Sequence, residues 1–310
     1  MKSLKGRHML TLQDFSREEL MFILETVRMF KRRFYVGERV VPILKGKVLG
    51  MIFEKPSTRT RVSFEVAMEQ LGGHAIFLSR GELQLSRGET IADTARVLSR
   101  YVDGIMARVY KHKDLEELAK NSKVPVINGL SDMFHPCQIL ADLLTIWEKK
   151  GRLRDLKVVW VGDGNNVANS LIIGCTKLGI DITVATPKGY EPKDEVLRYG
   201  RENSKISGSN LTLTNDPNEA VENADVVYTD VWVSMGQEAE AEERIRVFQP
   251  YQVNKELMSR AKEDAIFMHC LPAHRGYEVT DDVIDGPQSV VWDQAENRLH
   301  VQKAILALLL

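Results

Sequence analysis

A dense group of hydrogen-bond donors lies between an apolar run and a helical pattern. The stretch EKPSTRTR, residues 54–61, follows KVLGMIF and precedes VSFEVAMEQLGG. A helix N-terminus offers unpaired N–H groups and a partial positive charge, and guanidinium groups fork onto phosphate oxygens. The side chains that add donors here are Ser57, Thr58, Arg59, Thr60 and Arg61. Because the glycine pattern of a nucleotide P-loop is absent, the stretch predicts a different kind of phosphate site. A capped helix with surface arginines is the alternative.

Polar side chains also follow the next two predicted strands. Arg108 ends the apolar run GIMA, and a charged group there must be paired or face a cleft. His135 and Gln138 stand at the start of the following predicted helix. Because Pro136 favours an extended residue before it, His135 can point outward. An arginine, a histidine and a glutamine in one crevice could polarise a carbonyl group and hold an amide.

The second half of the chain contains a strand-to-helix run, VVWVGDGNNVANS. Gly162-Asp163-Gly164 resembles the start of a dinucleotide fingerprint, but Val167 occupies the third glycine position. The next strand ends at Thr186 rather than at an acid suited to a ribose. A nicotinamide site is therefore disfavoured, and Asn165 and Asn166 could instead bind a carboxylate.

Two later strand ends complete the set of candidates. Asp230 is followed by Ser234 and Met235, and an acid with a hydroxyl suits an α-ammonium group; a helix cap is the alternative for Asp230. The last apolar run ends at His269-Cys270. Because strand neighbours point to opposite faces, these two are poor candidates for a cysteine–histidine dyad. Cys270 is interpreted as a polar wall of a cleft, with a buried inert thiol as the alternative.

Strand and helix patterns alternate along the chain, which predicts an α/β fold. The strands are β-rich without alternation, as in parallel sheets covered by helices on both faces. Two such series predict two domains, residues 1–148 and 149–294. A C-terminal helix, 295–310, would carry Arg298 back to the first domain. The predicted strands are 47–53, 74–78, 103–108, 124–127, 157–161, 181–185, 211–214, 225–229, 265–268 and 289–292.

Composition excludes several classes of protein. The 42 basic and 43 acidic residues nearly balance, which leaves no electrostatic footprint for nucleic acid or an anionic membrane. The cysteines, Cys137, Cys175 and Cys270, match neither a disulfide framework nor a CxxC metal site, and reduced thiols fit a cytoplasmic location. No secretory signal or membrane-spanning run is apparent in the sequence.

The motifs STRTRVSFE, HPCQ, GDGNN, DVWVSMG and HCLP occur in this order. Together they resemble the ornithine carbamoyltransferases of the aspartate/ornithine carbamoyltransferase family, over essentially all 310 residues. The STRTR motif is shared with aspartate carbamoyltransferases, whereas HCLP and the SMG loop are more specific for ornithine. The resemblance implies transfer of a carbamoyl group from carbamoyl phosphate to the δ-amine of L-ornithine.

The resemblance also implies site residues. Arg108, His135 and Cys270 would be catalytic. Gln84 would reach the carbamoyl phosphate site of a neighbouring subunit. The implied carbamoyl phosphate residues are Ser57, Thr58, Arg59, Thr60, Gln84, Arg108, His135, Gln138, Cys270, Leu271 and Arg298. The implied ornithine residues are Asn166, Asp230, Ser234 and Met235.

No cofactor and no metal are expected, and the expected assembly is a homo-oligomer built of trimers, with no nucleic-acid or membrane partner. Three alternatives remain open. An aspartate carbamoyltransferase would need extra basic residues for the second carboxylate of its acceptor. A putrescine carbamoyltransferase would not need a carboxylate partner such as Asn166. A non-enzymatic dinucleotide-binding module is distinguished by titration with NAD against carbamoyl phosphate.

Overall fold

The computed structural model describes residues 3–234 and 236–310. The chain divides into two compact units. Unit 1 comprises Met1–Ala141 and Glu296–Leu310, and unit 2 comprises Asp142–Ala295. These limits fall inside two helices, and the predicted domain limits at 148/149 and 294/295 remain predictions. Within the described residues, no helix is long and apolar enough to cross a membrane.

Unit 1 is built around a four-stranded parallel sheet with the order β2-β1-β3-β4. Its strands are β1 (Val48–Phe53), β2 (His74–Ser79), β3 (Gly104–Arg108) and β4 (Val126–Leu130). The helices are α1 (Arg17–Tyr35), α2 (Thr58–Gln70), α3 (Ile91–Leu98), α4 (His112–Asn121) and, shared with unit 2, α5 (Pro136–Lys150). Strand β3 is buried along its whole length.

Unit 2 is built around a five-stranded parallel sheet with the order β7-β6-β5-β8-β9. Its strands are β5 (Lys157–Val161), β6 (Asp181–Ala185), β7 (Leu211–Thr214), β8 (Val226–Thr229) and β9 (Ile266–His269). The helices are α6 (Asn166–Leu178), α7 (Asp194–Ser207), α8 (Pro217–Val221), α9 (Ala241–Phe248), α10 (Lys255–Met258) and α11 (Asp281–Ile284). The last helix, α12 (Val291–Leu309), begins in unit 2 and ends in unit 1.

The predicted fold class is confirmed, with two parallel-sheet units and a C-terminal helix that belongs largely to the first. Local signals in the sequence explain part of this. Ser16 and Glu19, an S-x-x-E pattern in the sequence, form a capping box at the start of α1: Ser16 Oγ accepts from Glu19 N at 3.2 Å, and Ser16 N donates to Glu19 Oε2 at 2.9 Å.

The predicted strand 289–292 is wrong. Ser289 makes only an isolated bridge to Phe267 of β9, and helix α12 already begins at Val291. The β-branched run in this segment favoured a strand, but tertiary context overrides such a propensity. The two short helices α10 and α11 were not predicted.

A buried polar network supports the carboxyl end of β9 in unit 2. Tyr228 donates its hydroxyl to Asp142 Oδ2 at 2.8 Å, and Gln294 Nε2 donates to Asp142 Oδ1 at 2.8 Å. The other amide atom of Gln294, Oε1, accepts from the backbone N–H of His269 at 3.0 Å. Burial, together with the Asp142 carboxylate, raises the pKa of Tyr228 well above its ordinary value, so the hydroxyl stays a donor.

Removal of this donor should destabilise the protein. We expect Tyr228→Phe to lower the free energy of unfolding by about 1–3 kcal/mol, because it deprives a buried carboxylate of a hydrogen bond. The matched control is Tyr199→Phe, which removes the hydrogen bond to Glu195 on the surface of α7. That change should stay within about 0.5 kcal/mol. Equal effects in denaturant titrations would contradict the importance of the network.

Candidate active site

The donor-rich stretch forms the turn from β1 into α2, as predicted. Ser57 caps the helix, and its Oγ accepts from Thr60 N at 3.2 Å. The first turn of α2 contains no acidic residue, so the positive end of the helix dipole is not offset there. Thr60 is buried, Ser57 and Arg59 are half-buried, and Thr58 is exposed.

The β1 turn and Arg108 meet at one point of the unit 1 sheet. Strands β1 and β3 are neighbours, with Phe53 opposite Arg108, and Glu54 N donates to the carbonyl oxygen of Arg108 at 2.9 Å. The chain leaves these two strands toward opposite sheet edges, which makes this the topological switch point. Ligands of open α/β sheets bind outside the carboxyl ends of strands at such points. The buried guanidinium of Arg108 is therefore well placed for a ligand.

Residues from α5 and α12 join the same edge of unit 1. Arg298 donates to Gln138 Oε1 at 2.6 Å and to Thr60 Oγ1 at 3.1 Å, and all three residues are buried. His135 directly precedes α5 and its carbonyl oxygen accepts from Gln138 N at 3.1 Å. The C-terminal helix thus places Arg298 beside Gln138 and Thr60, which are distant from it in the sequence.

The imidazole of His135 is surrounded by positive charge. Burial is the largest cause that holds its pKa well below the ordinary value, and the guanidinium groups of Arg298, Arg108 and Arg59 add to the effect. The ring is therefore neutral at physiological pH and can donate one hydrogen bond. A cluster of three cations and one neutral donor suits an anion with an adjacent carbonyl oxygen.

Two other candidate residues of unit 1, Arg61 and Gln84, show no contact with this cluster in the described part of the chain. Arg61 pairs with Glu65 at 3.0 Å and stacks over the ring of Phe77, with 4.0 Å from its guanidinium carbon to the ring centroid. Arg61 is thus engaged elsewhere, which leaves Arg59 as the arginine of the turn that acts on His135. Gln84 is exposed in a short 3-10 helix, Gln84–Arg87.

In unit 2 the corresponding switch point lies between β5 and β8. Asn165 caps α6: its Oδ1 accepts from Val167 N and Ala168 N at 2.9 and 3.1 Å. The amide nitrogen of the same side chain donates to Asp230 Oδ2 at 2.8 Å, which orients the carboxylate just after β8. Asn166, the residue implied by the resemblance, is the half-buried first residue of α6.

Cys270 lies beside the second oxygen of the same carboxylate. Its Sγ donates to Asp230 Oδ1 at 3.0 Å. Strand alternation does not extend to Cys270, because β9 ends at His269. That the two residues are poor candidates for a cysteine–histidine dyad remains a prediction. The ligand atoms of Asp230, His269 and Cys270 lie within 4.8 Å of one another and could hold a metal ion. Both ring nitrogens of His269 already have partners, Leu271 N and Glu278 Oε1, which disfavours a metal there.

The segment that follows Asp230 contains the remaining candidates. Ser234 is half-buried, and its backbone N–H donates to Gln237 Oε1 at 3.0 Å. Met235 lies outside the described residues. At the far end of this segment Arg244 bonds Trp232 O at 2.9 Å and pairs with Asp163 Oδ2 at 3.3 Å.

The structure adds polar residues that sequence reasoning did not assign. Asn165 was considered only as a carboxylate ligand, although its position before α6 is a cap signal. No local signal could have identified the pairs Arg244–Asp163, Glu278–His269 and Gln294–Asp142, because they form through the tertiary fold.

Two family models match the chain. Residues 7–148 match the carbamoyl-P binding domain of aspartate/ornithine carbamoyltransferase, and residues 154–309 match its Asp/Orn binding domain. The chain belongs to the aspartate/ornithine carbamoyltransferase family. The family resemblance inferred from the sequence motifs is thereby confirmed.

Several relatives of this carbamoyltransferase family are similar over their whole length. The chain is 66% identical to ornithine carbamoyltransferase of Pyrococcus horikoshii, over 99% of this chain and 97% of that relative. It is also 66% identical to the protein of Pyrococcus furiosus named ornithine carbamoyltransferase, anabolic, over 99% of this chain and 98% of that relative. The solved structure of ornithine carbamoyltransferase from Pyrococcus furiosus superposes with a TM-score of 0.97, covering 100% of this chain and 98% of that one.

The depressed pKa of His135 predicts a pH dependence of stability. Below about pH 6.5 the unfolded chain protonates this side chain while the folded protein does not. The free energy of unfolding should therefore fall as the pH drops below that value, by up to about 1.4 kcal/mol per pH unit. In His135→Gln this contribution should vanish from denaturant titrations. His8 and His300, whose pKa values are also lowered by burial, remain in both proteins and cancel in the difference. Identical slopes would contradict the environment assigned to His135.

Proposed function

We propose that the chain transfers the carbamoyl group of carbamoyl phosphate to the δ-amine of L-ornithine, giving L-citrulline and phosphate. The observation that carries the proposal is the buried cationic cluster of unit 1, in which Arg298 is bonded to Gln138 and Thr60 around a neutral His135. The 66% identity to an ornithine carbamoyltransferase over 99% of the chain supports the choice of acceptor.

Carbamoyl phosphate is assigned to unit 1 because its phosphate carries close to two negative charges at neutral pH. The start of α2 and the guanidinium groups supply the complementary charge and donors. Arg108 would bridge the phosphate and the carbonyl oxygen. The proposed contacts from unit 1 are Ser57, Thr58, Arg59, Thr60, Arg108, His135, Gln138 and Arg298.

Ornithine is assigned to unit 2. The carboxylate of Asp230 is held by Asn165 and Cys270, and Ser234 follows in the same segment. Asp230 and Ser234 would bind the α-ammonium group, while Asn166 and the backbone N–H of Met235 would bind the α-carboxylate. The roles predicted for Cys270 and Leu271 in binding the carbamoyl amine remain predictions.

The reaction requires the δ-amine as a free base. If its pKa is close to that of lysine, about 10.4, deprotonation at pH 7 costs about 4.6 kcal/mol. Removal of the amine from water lowers this cost, since desolvation disfavours the ammonium form.

The chemical step forms one bond and breaks one. The amine nitrogen attacks the carbonyl carbon, and the resulting tetrahedral intermediate carries an oxyanion that Arg108, Thr60 and His135 would stabilise. Collapse breaks the bond between that carbon and the phosphate oxygen, and the leaving phosphate takes the proton from nitrogen. The step therefore calls for many donors in unit 1 and needs no dedicated carboxylate base.

The composition of the unit 2 site favours ornithine over two other acceptors. Aspartate would place a second carboxylate near Asp230, where an acid repels it. Putrescine has no α-carboxylate and would leave the proposed role of Asn166 without a ligand group.

Further properties of the proposed enzyme follow from its relatives and its cysteines. The name of the Pyrococcus furiosus relative, ornithine carbamoyltransferase, anabolic, supports a role in arginine biosynthesis. We propose a homotrimeric unit of assembly in which exposed Gln84 serves a neighbouring subunit. The three reduced cysteines support a cytoplasmic location.

A parallel assay with ornithine, aspartate and putrescine tests the function. We expect rapid product formation only with ornithine, measured as citrulline by mass spectrometry. Arg108→Ala should lower turnover by at least about a hundredfold, because it removes an oxyanion donor. The control Arg33→Ala removes a surface arginine paired with Glu38 and should behave like the wild type. Preference for another acceptor, or normal turnover of Arg108→Ala, would overturn the assignment.

The substitution Asp230→Asn should weaken the binding of ornithine without weakening that of carbamoyl phosphate. The amide oxygen can still accept from Asn165, but the negative charge is lost, so the KM for ornithine should rise by about ten- to a hundredfold. Carbamoyl phosphate binding, measured by calorimetry without ornithine, should change little. A similar loss for both substrates would contradict the assignment of ornithine to Asp230.

A further inference from the structure

Two buried side chains hold the turn between β4 and α5 in unit 1. Asn128 is the third residue of β4, and Ser131 directly follows that strand. Both residues are completely buried. The turn ends at Phe134, and the next residue is His135, which is proposed above to stabilise the oxyanion. The position of Phe134 therefore limits where the imidazole of His135 can lie.

The carbonyl oxygen of Phe134 accepts two hydrogen bonds. Asn128 Nδ2 donates to it at 3.2 Å, and the backbone N–H of Ser131 donates to it at 3.0 Å. Asn128 Nδ2 also donates to the carbonyl oxygen of Leu10 at 2.8 Å, which fixes the orientation of the amide group. The other amide atom, Oδ1, is buried and has no hydrogen-bond partner in the described part of the chain. Because a buried acceptor without a partner is unfavourable, the contribution of Asn128 lies in its two donated bonds rather than in packing.

The backbone N–H of Phe134 is held by the hydroxyl group of Ser131. Ser131 Oγ accepts from Phe134 N at 3.2 Å and from Met133 N at 3.3 Å. Because these two bonds occupy both lone pairs of the hydroxyl oxygen, its proton is free to be donated. Ser131 Oγ lies 2.9 Å from His112 Nδ1 and 3.4 Å from the carbonyl oxygen of Phe134, so the histidine is the nearer acceptor. Neutral His112 therefore carries its proton on Nε2.

The ring of Phe134 is restrained as well. It is buried and packs edge-on against the ring of His112, with 5.0 Å between the ring centroids. The N–H group, the carbonyl oxygen and the side chain of the residue before His135 thus all have fixed partners. Pro136 further restricts the backbone of His135 itself.

The same part of β4 is also joined to the strand that ends in Arg108. Asn128 lies opposite Ala107, and Leu130 lies opposite Arg108, so the register shifts by one residue between the two pairs. Gly129 is the extra residue on β4. The turn that follows β4 and the guanidinium group of Arg108 therefore start from one point of the sheet.

We propose that Asn128 and Ser131 are positioning residues of the carbamoyl transfer, which hold Phe134 so that the imidazole of His135 stays within the buried cationic cluster. His112 assists as the acceptor for the Ser131 hydroxyl. The inference rests on the proposed function, in which His135 stabilises the oxyanion. Neither positioning residue is assigned a contact with a substrate, and both act through His135.

A double-mutant cycle tests whether Ser131 acts through His135. Ser131→Ala removes the acceptor for two backbone N–H groups and the donor to His112. We expect this change to lower kcat by at least about tenfold in the otherwise unaltered protein, since a misplacement near 1 Å can cost about a hundredfold. In the His135→Gln background the same change should lower kcat by less than about twofold, because the group that it displaces is already absent. Equal factors in the two backgrounds would overturn the inference.

Ser122→Ala is the matched control at the other end of β4. Ser122 Oγ accepts from Val124 N at 3.1 Å and donates to Val124 O at 2.7 Å, so this serine also holds a turn by its backbone groups. The Ser122 turn precedes β4, whereas the Ser131 turn follows it. We expect kcat of Ser122→Ala to stay within about twofold of the wild type. A fall as large as that of Ser131→Ala would show that any loosened turn impairs activity, and it would contradict the positioning role.

The affinity for inorganic phosphate separates positioning of His135 from a general disruption of the site. In the proposed complex His135 faces the carbonyl group, whereas the phosphate is bound by the start of α2 and by Arg59 and Arg108. The Kd for inorganic phosphate, measured by calorimetry, should therefore change by less than about threefold in Ser131→Ala. A loss of phosphate affinity as large as the loss of kcat would count against the inference.

Two substitutions of Asn128 examine the bonds to the Phe134 carbonyl oxygen. Asn128→Leu keeps the approximate size of the side chain and removes both donated bonds, so its kcat and its behaviour in the His135→Gln background should resemble those of Ser131→Ala. Asn128→Asp directs a carboxylate at two carbonyl oxygens and should lower kcat at least as much. Unfolding transitions identify the variants that fold, and normal kcat in a folded Asn128→Leu protein would overturn the inference.

The wild-type protein gives a readout that needs no variant. The amide hydrogens of Met133 and Phe134 should exchange with solvent as slowly as those of β4, because both are bonded to a buried hydroxyl oxygen. Exchange as fast as that of an exposed turn would overturn the inference even if every variant failed to fold.

The two proposals fail differently. A wild-type protein that forms no citrulline defeats the proposed function. An active wild type in which Ser131→Ala lowers kcat by the same factor with and without His135 defeats only the positioning role.

Discussion

The carboxyl edge of the unit 1 sheet depends on holding three guanidinium groups around one buried imidazole. Like charges repel more strongly where water is excluded, and the pKa of His135 is lowered first by burial and further by these three guanidinium groups. Hydrogen bonds to Gln138 and Thr60 hold Arg298 in place and offset part of this repulsion. Arg108 is held by its position at the end of a strand that is buried throughout. An anion bound in this cluster would relieve the repulsion. Ligand affinity and the stability of unit 1 are therefore linked.

The same topological rule positions polar groups in both units. In unit 1 the switch point between β1 and β3 brings the α2 turn to Arg108, and in unit 2 the switch point between β5 and β8 brings Asn165 to Asp230. In both units, residues that are distant in sequence come within hydrogen-bonding distance at the ends of two neighbouring strands. The chemical difference lies in charge, since the first site gathers cations and the second presents a carboxylate.

The sequence was informative where the signal was local. The β1 turn, the cap at Ser16 and the polar groups after each strand could be predicted because turn chemistry and strand ends are written in neighbouring residues. The predicted strand at 289–292 was wrong because part of this β-branched run belongs to the start of α12. The partners of His269 could not be predicted, since Glu278 and Gln294 reach it only through the tertiary fold. The roles of the candidate site residues remain predictions.

Burial divides the three cysteines of the sequence into two kinds. Cys137 and Cys175 are fully enclosed, and burial raises the pKa of Cys137 to about 12 and that of Cys175 far above its ordinary value. Cys270 is only half-buried. Since alkylating reagents attack the thiolate, burial protects Cys137 and Cys175 from them. Of the three thiols, Cys270 is therefore the one that burial does not shield from such reagents.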